Sequence, residues 1–191
     1  MPRSDLPPLP PQPTLKTARL NLRPLRADDA PTLLRELSDA AVARETLNIP
    51  HPYSMARAEE FLADVPTRFE AGRGVVWAIA ERGAADDTLI GAVGLNLTRA
   101  HRRAELGYWV AKSRWGQGIA TEASRAVIAY GFDALGLHRI DAQHFVENPA
   151  SGAVMRKLGM QHEGRLRAMV WRDGVPRDLE LYAVLATDPR P

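Results

Sequence analysis

Residues 105–123 of this 191-residue chain read ELGYWVAKSRWGQGIATEA, an apolar strand that passes through two closely spaced glycines into an amphipathic helix. Such a turn leaves several backbone N–H groups without intrahelical partners at the positive end of the helix, where anionic oxygens are favoured. Gly116 and Gly118 permit a close backbone approach that side chains would block. The stretch therefore requires a sheet with a helix packed over it and a turn exposed between them. A G-x-G ahead of a helix is also an ordinary structural turn, so the surrounding sequence has to decide between the two readings.

The flanking segments supply a sheet. Residues 19–23 alternate as a first strand, and the pair Asp28-Asp29 opens a helix carrying Leu33, Leu34 and Leu37, with Pro31 tolerated in its first turn. Ser54 caps a second helix in which Phe61, Leu62, Val65 and Phe69 recur at helical spacing until Gly72 and Gly74 stop it. Residues 75–81, 88–98 and 103–112 read as three strands of an antiparallel meander separated by polar turns. A long helix over 119–135 and a strand over 139–146 follow. Asn148 and Pro149 then stand at the cap and first position of a helix that ends at Gly159, and two strands flank the hairpin turn Asp173-Gly174. Ahead of all this, Pro2, Pro7, Pro8, Pro10, Pro11 and Pro13 make residues 1–14 a proline-rich tail or surface strap, leaving 15–188 as a single domain.

Composition narrows the function. The 45% hydrophobic content is enough for one core of this size. There is no Cys, which excludes disulfides, thiolate metal sites and a cysteine nucleophile. Neither a signal sequence nor a long apolar run is apparent, and the expectation is a cytoplasmic protein without a membrane partner. The 25 basic and 23 acidic residues are interspersed, so a nucleic-acid-binding module ranks last. None of His51, His101, His138, His144 and His162 has metal-ligand spacing, and no metal is assigned.

The glycine turn resembles the pyrophosphate-binding motif of the GNAT acetyltransferases, usually Q/R-x-x-G-x-G/A, in which Gly118 and Ala120 match the last two defined positions. Trp115 occupies the first, in place of Gln or Arg, and W-G-x-G-x-A is similar to the variant found in the RimJ/RimL-type enzymes that acetylate ribosomal-protein N-termini. A second block, NPASGAVMRKLGM over residues 148–160, is similar to the helix that flanks the pantetheine arm in the same family. The resemblance covers roughly everything after Leu15. It implies an α/β fold with a mixed, mostly antiparallel seven-stranded sheet, about four flanking helices and a splay between strands 4 and 5 that admits acetyl-coenzyme A. It further implies that the backbone amides of Gly116, Gln117, Gly118, Ile119, Ala120 and Thr121 hold the coenzyme pyrophosphate. Trp109, Val110 and Ala111 would offer strand groups to the pantetheine arm, and Asn148 would contact the coenzyme, although these residues also read as core and as a helix cap.

Direct transfer to an amine needs a neutral nucleophile, a stabilised oxyanion and a proton for the leaving thiolate. Glu105 is the candidate base by resemblance, with a structural ion pair to Arg102 or Arg103 as the competing reading. The position where many relatives carry a proton-donating Tyr is Met155, which has no proton to give. Ser151 matches a Ser of the RimJ/RimL type that could face the sulfur, and is equally an ordinary first-turn residue. By fold analogy the acceptor pocket draws on residues 48–53, the Trp77 strand and residues 169–172. The acceptor is read as a protein or peptide N-terminal α-amine, with a small-molecule amine as the nearest rival and a coenzyme-binding sensor without turnover as a different class. A homodimer fits the subfamily.

Overall fold

The computed structural model describes residues 8–84 and 86–189. Two short strands, β1 (Leu15–Lys16) and β2 (Leu20–Pro24), precede the helices α1 (Ala30–Leu37), α2 (Ala40–Glu45) and α3 (Met55–Glu70). The meander β3 (Gly74–Glu81), β4 (Leu89–Thr98) and β5 (Arg103–Val110) leads into α4 (Ile119–Asp133). The chain closes with β6 (Arg139–Phe145), α5 (Pro149–Lys157) and the hairpin β7 (Gln161–Arg172) and β8 (Val175–Leu185). All strands join one sheet in the order β1-β2-β3-β4-β5-β6-β8-β7. Every neighbouring pair is antiparallel except β5 and β6, which run parallel over only three register pairs, Arg103 with Arg139 to Glu105 with Asp141.

The alternation of side chains along the strands divides the core into two layers. On one face α4 and α5 cover Trp77, Ile79, Leu95, Leu106 and Ile140. On the other, α1 to α3 close over Ala78 and Leu89 with Leu33 and Leu37. Trp77 is fully buried, meets Tyr130 of α4 edge-on at 5.2 Å between ring centroids, and donates its indole N–H to Pro13 O at 2.8 Å. Gln12 Nε2 donates to Val76 O at 2.8 Å. The proline segment is thus laid on β3 at its described end, while Pro2 and Pro7 lie outside the described residues.

Eight strands stand where seven are expected, because Leu15 and Lys16 pair with Leu22 and Asn21 over a length too short to show alternation. Five α-helices replace about four for a similar reason. The six residues of α2 are capped by the Asp39 side chain accepting from Ala41 N, and they give no amphipathic period of their own. Among the described residues no helix is long and apolar enough to cross a membrane.

A buried ion pair ties the end of β2 to the start of α1. Arg23 and Asp29 are 4% and 5% exposed, and Asp29 accepts from Arg23 Nη1 at 2.9 Å, Arg23 Nη2 at 2.7 Å and Arg26 N at 2.8 Å. The hydrogen bond to Asp29 raises the already high Arg23 pKa against the effect of burial. Removing one partner of a desolvated pair leaves the other charge uncompensated, and Asp29→Asn is expected to cost about 3 kcal/mol. The check is urea unfolding, with the midpoint falling and the slope unchanged.

Candidate active site

The parallel pairing of β5 with β6 stops at Glu105 and Asp141, and beyond that point the two strands diverge around a cavity of about 780 Å³. Glu105, Tyr108, His144, Ser151 and Met155 line it. In the antiparallel ladder with β4, the Ala111 N–H donates to Ile90 O, so Trp109 and Ala111 turn their backbone groups toward β4. The intervening residues Leu106, Tyr108 and Val110 face the opening instead. Of the expected strand residues Trp109, Val110 and Ala111, Val110 turns its backbone toward the opening, and its carbonyl already accepts the Trp115 indole N–H at 2.7 Å. Trp115, which departs from the usual polar residue of the motif, thus staples the end of β5 to the turn. The Val110 N–H remains for a ligand.

At the far end of β5, Gly116 and Gly118 have φ of 75° and 77°, a left-handed geometry that favours glycine. The first helical bond of α4 runs from Glu122 N to Gly118 O. Among the described residues no protein acceptor takes the amide hydrogens of Gly116, Gln117, Gly118, Ile119, Ala120 or Thr121. Six consecutive donors at the positive end of a 15-residue helix form an anion cradle. One carboxylate sits in that first turn, and it is neutralised: Glu122 accepts from Thr17 Oγ1 at 2.6 Å, Arg19 N at 2.9 Å and Arg19 Nε at 2.7 Å. Partial burial alone would raise the Glu122 pKa, but these bonds hold it below the usual range.

Glu105 is free of the ion pairs that compete for it in the sequence. Arg103 turns to Asp141 at 3.4 Å, and Arg102 Nε donates to Gly136 O at 2.9 Å. Burial, then the neighbouring Asp141 charge, push the Glu105 carboxyl above the usual carboxylate range, against the opposing pull of Arg103.

The α5 side of the opening is tightly set. Asn148 Oδ1 accepts from Ser151 N at 3.0 Å as a helix cap, and its Nδ2 donates to Glu45 O at 3.3 Å, joining α5 to the end of α2. Asn148 therefore holds two elements together while keeping one amide hydrogen unused. Ser151 Oγ lies 2.7 Å from the Tyr108 hydroxyl across the opening. Tyr108 is the site residue that sequence reading passes over, since a tyrosine in an alternating strand looks like packing. Burial pushes its phenol up to about 12, even though the Ser151 contact works in the other direction. Met155 is 1% exposed and belongs to the core. His144 faces the cavity wall rather than an edge: Nδ1 is 2.7 Å from Phe145 O, and a Cβ on Gly152 would stand 2.7 Å from Nε2. That close approach seats α5 on β6.

The acceptor side follows the expectation in part. Asn48, Ile49, Pro50 and Tyr53 line the cavity, with Val76 as the contribution of β3. Trp77 does not, because alternation sends it to the opposite face. Met169 and Trp171 are 55% and 75% exposed on the hairpin. Arg172 instead braces α2 and the loop that follows it, donating to Ala43 O at 2.6 Å and Ile49 O at 3.4 Å with its guanidinium 5.5 Å from the Phe145 ring centroid.

A family described as an acetyltransferase (GNAT) domain matches residues 19–161. The uncharacterized N-acetyltransferase YoaA of Bacillus subtilis strain 168 is 35% identical over 174 residues, which span 91% of this chain and 97% of that protein. The ribosomal-protein-serine acetyltransferase of Escherichia coli strain K12 is 33% identical over 99 residues, 51% of this chain and 55% of the relative. Mycobacterium smegmatis RimJ, solved in complex with CoA-disulfide, superposes with a TM-score of 0.77 at 30% identity, covering 87% of this chain and 82% of that one.

The raised Glu105 carboxyl carries a stability signature. The folded state holds this proton more tightly than the unfolded chain does, so stability falls as pH rises from the unfolded through the folded acidity of the group and stays lower above it. Glu105→Gln removes that loss. Its thermal midpoint is expected above that of the wild type at pH 8, with the gap closing toward pH 4, as scanning calorimetry at both pH values can check.

Proposed function

This chain belongs to the GNAT acetyltransferase family and is an acetyl-coenzyme A-dependent N-acetyltransferase, and we propose that its acceptor is the α-amino group at a protein or peptide N-terminus. The observation that carries the reading is the kind of base available. Among the described residues Glu105 stands at the cavity wall without an ion-pair partner, and a carboxylate is a weak base even with its pKa raised. An α-amine, with a reference pKa of about 7.7–8.0, is already partly neutral near pH 7, whereas less than about a thousandth of a lysine amine at about 10.4 is. A weak base assisted by water suffices for the first and falls short for the second. The E. coli relative is a ribosomal-protein-serine acetyltransferase, which agrees with an N-terminal acceptor.

In this reading the amides of residues 116–121 hold the coenzyme pyrophosphate, and the Val110 N–H and the remaining Asn148 amide hydrogen meet the pantetheine arm. The open donors fit a diphosphate, because they are consecutive and, among the described residues, otherwise unpaired. Acetyl-coenzyme A supplies the activated acyl group as a thioester. The protein supplies orientation and the removal of a proton: Glu105 accepts it from the amine, directly or through water, within a ternary complex. Such acceptors are cytoplasmic proteins, and the enzyme belongs with them.

The decisive measurement uses short peptides bearing one lysine, with free or blocked N-termini, beside a panel of polyamines and amino sugars. Thiol release from acetyl-coenzyme A and fragment mass spectrometry are expected to show acetylation at the free N-terminus alone. Faster turnover of any small amine than of every peptide overturns the reading. The cradle has its own test in Gly118→Ala. A side chain at φ 77° costs about 1–2 kcal/mol in backbone strain, which the turn relieves only by shifting its amides, so titration calorimetry should find coenzyme affinity reduced about tenfold or more.

A further inference from the structure

We propose that Tyr108 is a positioning residue for leaving-group departure: its hydroxyl donates to Ser151 Oγ and so directs the Ser151 hydroxyl hydrogen onto the coenzyme sulfur as the carbon–sulfur bond breaks. The inference rests on the acetyl-transfer activity and on Ser151 facing the sulfur. It gives β5 a part in holding the Ser151 hydroxyl of α5, where Met155 is buried in the core and has no proton to give.

The geometry is specific. Tyr108 on β5 and Ser151 on α5 stand on opposite sides of the strand opening, both line the cavity, and their oxygens are 2.7 Å apart. A phenol is the more acidic hydroxyl and hence the better donor of the pair. When Ser151 Oγ accepts from Tyr108, its own hydrogen is released from that contact and available to the cavity. The second acceptor within reach of Tyr108, Ser151 O, is farther away at 3.3 Å. Ser151 has little freedom to drift, because Asn148 caps its amide at 3.0 Å and Gly152 sits against His144. With its phenol pushed up to about 12, Tyr108 remains a donor throughout the working range of pH.

The balance of the step follows from these acidities. The amine nitrogen bonds to the carbonyl carbon, the carbon–sulfur bond breaks, and its electron pair stays on sulfur, where the Ser151 hydrogen bond disperses the charge. Glu105 or water takes the proton lost by nitrogen. A phenol near 12 does not give up its proton to a thiolate whose reference value is about 8.5, so the proton lost by nitrogen to Glu105 or solvent is the one returned, through solvent, to the released thiol. Tyr108 and Ser151 finish with the protons they began with.

The test needs no acceptor. Free coenzyme A is titrated while bound to the wild type, Tyr108→Phe, Ser151→Ala and the double variant, reading thiolate absorbance in the ultraviolet. A donor aimed at sulfur lowers the bound thiol midpoint by about one unit in the wild type. Tyr108→Phe loses at least half of that shift, Ser151→Ala loses all of it, and the double variant matches Ser151→Ala. In turnover, Tyr108→Phe lowers kcat about tenfold with KM for acetyl-coenzyme A unchanged. The proposal is overturned by an unshifted midpoint in the wild type, by a Tyr108→Phe enzyme that titrates like the wild type, or by losses that add in the double variant. A wild type that acetylates no peptide yet shows the shifted midpoint sinks only the acceptor reading.

Discussion

The premature end of the β5–β6 ladder governs this molecule. Two parallel strands that pair for three residues and then part leave backbone donors and acceptors that the sheet would otherwise satisfy, and such groups are not left idle in a folded protein. The Val110 carbonyl goes to Trp115, α5 is drawn in by the Asn148 contact with Glu45, and the space between becomes the cavity. The antiparallel pairs on both sides, β4 with β5 and β6 with β8, hold the opening apart, so its width is a property of the sheet rather than of a loop.

Placing an anion cradle at the exit of β5 raises an electrostatic conflict that the N-terminal strands resolve. A glutamate in the first turn of α4 complements the helix dipole in the free protein but would repel a diphosphate. Arg19 and Thr17 engage Glu122 fully, and Arg19 Nη1 also donates to Gln117 O at 3.0 Å. The same clamp thereby steadies the turn from outside the donor nest. β1 and β2, which contribute no group to the cavity, thus take part in the site through charge balance.

Legibility in the sequence divided along physical lines. The glycine turn, the Asn148 cap and the three-strand meander announce themselves locally, through turn chemistry and periodicity, and the splay between the fourth and fifth expected strands is found between β5 and β6. What stayed hidden depended on partners distant in the chain. Tyr108 gains its significance from Ser151, 43 positions away, and within the Trp77 strand register turns Trp77 toward Tyr130 and leaves Val76 to line the cavity. Short elements such as β1 and α2 carry too few residues for a pattern. The competing readings of Glu105 could be separated only by seeing Arg103 committed to Asp141.

Trp115 shows why a departure from a motif need not be a loss. A polar side chain in its position would add one contact to the diphosphate, whereas the indole N–H closes a strand carbonyl that would otherwise face the opening at the mouth of the site. In the proposed reading, binding would rely on backbone amides, whose positions are set by the fold and carry little conformational entropy to lose. The reacting end follows the same economy, with a serine held by a cap on one side and a phenol on the other in place of a mobile acidic side chain. A site assembled from fixed dipoles stabilises charge by orientation alone, and it performs best with an acceptor that arrives already able to lose its proton.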